Sequence, residues 1–197
     1  MTTITVDNIN SRAELKRKTA KPLLWIGIMS IVMFFGGWTS AVIVSKGSIS
    51  DWLSIHLPNA FYVSSVIIVL SSIFFHLGYL AIKKDQKKTL FIFVLLTLLS
   101  GFGFVISQYL GWKTLYENGI VATGSSSTNA SSYLYLITFF HVLHLLAGLI
   151  SLIVVSVKSK KERYSSSNFL GVELSLIYWH FLGALWIYLF IFLKYIA

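Results

Sequence analysis

The feature that most constrains this chain is where its charges are absent. No Asp, Glu, Lys or Arg lies between Lys21 and Lys46, between Asp51 and Lys83, between Lys88 and Lys113, or between Glu117 and Lys158. Between Arg163 and Lys194 the single charged residue is Glu173. Apolar runs of about 20 residues match the hydrocarbon thickness of a bilayer. These runs place five spans at about Pro22–Ser45, Pro58–Ile82, Thr89–Leu110, Ser132–Val157 and Asn168–Leu193. Segments of this length, without strict alternation, are helices and not barrel strands. Pro22 and Pro58 suit the first turns of their helices, where a missing N–H costs nothing. The expected fold is therefore an all-α membrane protein with five transmembrane helices, comprising a basic segment 1–21 and a membrane domain 22–197.

Composition agrees. The 197 residues are 56% hydrophobic and only 12% charged, about half the charge of an average soluble domain. The net charge of +9 would suggest nucleic acid in a soluble protein, but in a membrane chain basic loops set orientation, and no nucleic-acid partner is expected. Arg12, Lys16, Arg17, Lys18 and Lys21 precede span one. Lys83, Lys84, Lys87 and Lys88 follow span two, and Lys158, Lys160, Lys161 and Arg163 follow span four. The other side carries only Lys46, Lys113 and Lys194. The positive-inside rule makes the N-terminus cytoplasmic, and five spans then put the C-terminus outside. The N-terminal segment lacks the apolar core of a cleaved signal peptide. The absence of cysteine removes disulfides, thiolate metal sites and iron–sulfur clusters. Short links make spans two and three, and spans four and five, antiparallel neighbours. Gly119–Ser131, rich in Gly, Ser, Thr and Asn, reads as a flexible external loop. No internal repeat supports a transporter.

Ionisable groups at membrane depth are costly and point to function. Here they are His76, His141, His144, His180 and Glu173. His141 and His144 share a helix face, as do Glu173 and His180. Three readings fit: hydrogen bonds between helices, axial haem ligation by two histidines on facing helices, and copper or zinc binding with a third ligand. A di-iron carboxylate site is excluded, since it needs several glutamates. No catalytic residue is identified. Gly36, Gly37, Ser64, Ser65, Ser71, Ser72, Gly101, Gly103, Gly148 and Gly183 read as close-packing positions. Trp179 and Trp186, seven apart, are expected to face lipid or a partner.

Span five contains Gly171, Glu173, Tyr178-Trp179-His180-Phe181, Gly183 and Trp186. It resembles the final helix of subunit III of haem–copper cytochrome c and quinol oxidases, with its Glu, Tyr-Trp-His-Phe and Trp. The run from Thr138 through His141 and His144 to Gly148 resembles the family's H-x-x-H-x-x-x-G segment. Gln108, Trp112 and Gly119 resemble the close of its third helix here, and Leu57-Pro58 with Ser71-Ser72 its second. The resemblance covers about Pro22–Tyr195 and fits the short, five-helix bacterial form. Two positions depart from it. Ile31 stands where relatives carry a carboxylate, and Gly183 stands where they carry Asp after His-Phe-x.

The resemblance implies a non-catalytic subunit of a proton-pumping terminal oxidase in the bacterial cytoplasmic membrane. It implies packing on subunit I, with subunit II and a larger respiratory supercomplex as further partners, and haem and copper held in partner subunits. It implies two helix groups, spans one–two and three–five, separated by a cleft holding phospholipid, and support for proton uptake and active-site stability. Glu173, His180, His76, His141 and His144 become structural or proton-related groups; beside the resemblance, the predicted position of Glu173 and His76 in the same half of the membrane leads us to expect them to pair. Tyr178, Trp179, Phe181 and Trp186 become packing residues toward lipid or subunits. The competing reading is an integral b-type cytochrome using His144 and His180.

Overall fold

In the computed structural model, described for residues 2–48, 52, 55–124, 127–166 and 168–196, the chain forms five helices. They are α1 (Thr2–Ser48), α2 (Asn59–Lys83), α3 (Lys87–Glu117), α4 (Asn129–Lys160) and α5 (Leu170–Ile196). All five contain segments long and apolar enough to cross a membrane. Asp51, Ser125 and Ser126, and the side chains of Arg12, Lys16 and Arg17, lie outside the described residues. Pro58 caps α2 as expected, with the Phe61 amide donating to its carbonyl at 3.0 Å. Pro22 does not start a helix. It sits inside α1, which continues from the basic segment into the first span.

Three helices end in the same way. Gln86 N–H donates to Ala81 O and Asp85 N–H to Ile82 O, closing α2. Ile120 donates to Leu115 and Gly119 to Tyr116 at the end of α3, and Arg163 to Lys158 and Glu162 to Ser159 at the end of α4. This paired closure needs one left-handed residue. Gly119 supplies it for α3 at φ 76°, while Asp85 (57°) and Glu162 (51°) adopt it without glycine's freedom. The α4 start carries a reciprocal cap between Thr128 and Ser131. The Gly119–Ser131 segment is more anchored than its composition suggests: Tyr135 and Ser132 donate to the carbonyls of Ile120 and Ala122 at 2.9 and 2.7 Å.

Packing follows a seven-residue rhythm. Buried Phe61, Ile68, Phe75 and Ile82 on α2, and buried Val172, Trp179, Trp186 and Leu193 on α5, each recur every seven residues. On α3 the buried positions step by four and three: Leu90, Val94, Thr97, Gly101, Phe104, Gln108, Gly111 and Leu115. On α4 they are Leu134, Thr138, His141, Leu145, Gly148, Leu152, Val155 and Ser159. This is the seam of left-handed helix packing. It closes α2, α3, α4 and α5 into a four-helix ring, each packed on the next and α2 on α5.

α1 stands outside that ring. It packs on α4 and α5, through Phe35, Val42, Ile137, Leu185 and Leu189. Among the described residues α1 and α2 do not touch, so the expected grouping of spans one–two against three–five does not form. Span two pairs with span three, as the short link between them implies, and α1 is the appended helix. α1 runs parallel to α5, since Lys21 meets Glu173 near one end and Lys46 meets Ile196 near the other. The N-terminal end of the first span and both basic loops thus lie at one end, tied by Ser166 N–H to Asp85 Oδ1 (3.1 Å) and by Lys87 to Glu162 (3.7 Å).

Candidate functional site: the polar residues within the bundle

Trp179 and Trp186 point inward, contrary to the expectation of lipid or partner contact; they are 1% and 0% exposed. Their indole N–H groups donate across to α2, Trp179 to Ser71 Oγ at 3.0 Å and Trp186 to Ser65 Oγ at 2.9 Å. A hydrocarbon environment offers no water to satisfy an indole N–H, so the partner must come from another helix. Glycine makes room for the rings. A Cβ at Gly101 would lie 2.8 Å from the Trp179 ring, and one at Gly148 would lie 3.3 Å from it and 2.9 Å from Leu182. Trp186 stacks on Phe61 and stands edge-on to Phe104 at a centroid distance of 5.1 Å. Ser65 and Ser71 therefore serve as acceptors as well as small packing residues. Their place in register with the tryptophans is the signal that spacing alone did not expose. Tyr178 donates to the His144 carbonyl at 3.2 Å, and Phe181 packs into the α1–α4–α5 cluster.

Glu173 does not pair with His76. Its Oε1 accepts from Lys21 Nζ at 2.7 Å, joining α5 to α1. His76 instead faces His180, with ring centroids 5.8 Å apart and planes at 44°. These two imidazoles line a groove of about 430 Å³ between α2 and α5, whose walls include Ile68, Ser72, Leu77 and Gly183. Neither imidazole hydrogen-bonds another described residue. Gly183 is part of this shape, because a Cβ there would lie 3.1 Å from Ser72 Oγ. An acidic side chain at 183 would enter the groove or displace α2. Glu173 and His180, placed on one face by their spacing, thus serve two different neighbours.

His141 and His144 also part company. His144 Nδ1 lies 2.7 Å from the Phe140 carbonyl, and its ring packs against Phe34 and Phe35 of α1. His141 is fully buried among Phe35, Phe104 and Trp186, and neither ring nitrogen has a hydrogen-bond partner. Gln108, one turn beyond Phe104, donates to Ser64 Oγ at 2.8 Å while its Oε1 is also unpartnered. Trp112 donates to Thr138 Oγ1 at 3.0 Å. His144 faces α1 and His180 faces α2, so the two imidazoles that a b-type cytochrome would require are not brought together. Among the described residues no three His, Asp or Glu side chains are placed to share a metal ion. In the α4–α5 loop, burial pushes the Tyr164 phenol above its ordinary value.

The cytochrome c oxidase subunit III family model matches residues 53–197. The chain belongs to the cytochrome c oxidase subunit III family. The match takes in α2 to α5, the ring just described. Curated subunit III relatives agree. The chain is 27% identical over 174 residues to cytochrome c oxidase subunit 3 of Thermostichus vulcanus, covering 85% of this chain and 82% of that one. It is 30% identical over 165 residues to cytochrome c oxidase subunit 3 of Synechocystis sp., covering 80% and 67%. It is 29% identical over 173 residues to a probable cytochrome c oxidase subunit 3 of Nocardia farcinica, covering 85% and 82%. Membership implies a multi-pass membrane protein that works in a complex with other oxidase subunits. The residues that carry the resemblance on α5 are the ones that key it into its neighbours: Glu173 to α1, Trp179 and Trp186 to α2, and His180 beside His76.

Proposed function

We propose that this chain is a non-catalytic subunit of a proton-pumping terminal oxidase in a bacterial cytoplasmic membrane, with its basic end in the cytoplasm. It packs on subunit I, in a complex with subunit II and, in some membranes, a larger respiratory supercomplex. Haem and copper reside in those partner subunits. The observation that carries this reading is the use of the α5 family motif, whose side chains hold helices together and line the α2/α5 groove. A rigid four-helix ring with an apolar groove suits a subunit that braces a catalytic neighbour and holds phospholipid chains against it. The groove between α2 and α5, with His76 and His180 in its wall, takes the role first assigned to a cleft between helix groups. Lys21 and Glu173 hold α1 at the basic end, where proton uptake into the complex begins.

The test is a Glu173→Ala oxidase purified as the whole complex. The expected result is an unchanged initial rate of oxygen reduction and a shortened lifetime under continuous turnover. Unchanged lifetime together with unchanged complex stability would contradict the assignment.

A further inference from the structure

The α2/α5 groove holds two imidazoles with no hydrogen-bond partner among the described residues. His76 and His180 face each other with ring centroids 5.8 Å apart and planes at 44°. Ionisable side chains at membrane depth are costly and normally find a partner. Their spacing is set one turn away, where Ser72 of α2 meets Gly183 of α5. A Cβ on Gly183 would lie 3.1 Å from Ser72 Oγ. Toward the basic end, His76 follows Ser72 by one turn on α2, and His180 lies one turn from Gly183 on α5. Close helix contact at Gly183 therefore brings the two rings across the groove from each other.

That spacing suits a shared metal ion. An imidazole nitrogen lies about 1 Å from its ring centroid and a metal–nitrogen bond is about 2 Å, so two imidazoles on one ion hold their centroids about 5 Å apart at a tetrahedral angle and about 6 Å apart when collinear. The observed 5.8 Å falls toward the open, near-linear end. The surroundings narrow the choice of ion. Among the described residues no third His, Asp or Glu is placed to join the pair, whereas zinc takes four ligands and Cu2+ a square-planar or tetragonal set. The charged residues of α2 and α5 are Lys83, Glu173 and Lys194, and they are turned to Tyr79, Lys21 and Tyr62. The wall beside the imidazoles is apolar, with Ile73, Leu77 and Ile187. An ion in such surroundings pays a desolvation cost that grows with the square of its charge. Both constraints favour a monovalent ion that needs only two ligands. Imidazole suits copper, and d10 Cu+ bonds two donors in a near-linear arrangement.

We infer that His76 and His180 are the two ligands of a Cu+ site that clips α2 to α5. His76, the exposed member of the pair, gives the ion its way in. The groove offers Cu2+ no tetragonal set, so the ion is held as Cu+ and the chain gains no redox centre. The site rests on the α2/α5 geometry, not on the oxidase assignment.

The purified complex containing the full chain is loaded with Ag+, a two-coordinate stand-in for Cu+ that copper in the companion subunits does not mask. Native mass spectrometry after release of single subunits reads the binding, silver X-ray absorption reads the coordination, and the thermal unfolding midpoint reads the stability. The expected result is one Ag+ on this chain with two nitrogen neighbours, a raised midpoint, and displacement by Cu+ held in an anaerobic bicinchoninate buffer but not by Zn2+. Affinity should fall about tenfold or more in His76→Leu and in His180→Leu, and stay unchanged in His56→Leu ahead of α2. His76 is exposed, so His76→Leu leaves no cavity and keeps the test valid if His180→Leu fails to fold. No silver on this chain, silver held by sulfur, displacement by Zn2+, or binding undiminished in His76→Leu would each overturn the inference. All four outcomes leave the oxidase assignment standing, since that is read from turnover lifetime and complex stability.

Discussion

At the residue scale, the buried indoles of Trp179 and Trp186 are satisfied while the fully buried imidazole of His141 is not. Trp179 and Trp186 each donate to a serine of α2, and hydrogen bonds between membrane helices contribute about 0.6 kcal/mol on average, up to about 1.7. Trp179→Phe should therefore lower stability by about 1 kcal/mol, loss of ring area included, in a denaturing-detergent titration of the purified chain. Gly148→Leu is a different kind of change, because even a Cβ there would lie 2.9 Å from Leu182. Overpacking of this sort costs about 1–3 kcal/mol, and the same titration should show the larger loss. His141 behaves oppositely. Its nitrogens have no partners, so His141→Leu removes no hydrogen bond and relieves a buried polar group. The prediction is unchanged or increased stability, and a loss beyond about 2 kcal/mol would contradict an unpartnered His141.

At the element scale, the division into helices was legible, as were the α2–α3 and α4–α5 neighbours that short links impose, but the remaining pairings were not. Charged residues bracket each apolar run, and a bilayer forbids anything but helix or closed barrel there, so five spans follow from Lys21, Lys46, Lys83, Lys88, Lys113, Lys158 and their like. Which helix touches which depends on the seam, and the seam here mixes Gly, Thr, Gln, His and Ser with Leu and Phe. In a chain apolar on every face, that rhythm has little contrast against the lipid-facing positions. Hence Trp179 and Trp186 read as outward-facing and Glu173 as a partner for His76, while the grouping of α1 with α2 rested on the family resemblance alone. Long-range pairs such as Lys21–Glu173, separated by 152 residues, leave no local trace. Helix ends were partly legible: Gly119 signals the α3 terminus, while Asp85 and Glu162 adopt left-handed geometry without a glycine to announce it.

The same element-scale view yields a prediction for α1. Outside the ring, it is held by the Lys21–Glu173 pair, by Ser45 to Tyr133 (3.0 Å), by Tyr188 to Thr39 (3.2 Å), and by Lys46 and Trp52 to the Ile196 carbonyl. Glu173 is partly accessible to solvent, so the pair contributes at most about 1 kcal/mol. Glu173→Ala should raise amide hydrogen exchange in the Lys18–Ser30 part of α1 and leave α3 unchanged. Uniform acceleration across all helices would show that α1 and the ring open as one unit.

At the scale of the whole molecule, subunit III membership and an interior devoted to helix packing support the proposed reading of a brace whose redox centres lie in its partners. The competing picture makes the histidines haem ligands, with His144 and His180 as the pair. The two differ in one quantity, the haem bound to this chain. The direct measurement is to isolate the tagged chain from its native membrane, record its companions, and assay haem after mild dissociation into single subunits. The account predicts that haem–copper subunits co-purify and that all the haem leaves with them. Haem retained on this chain in stoichiometric amount, and lost in His144→Ala or His180→Ala, would contradict it.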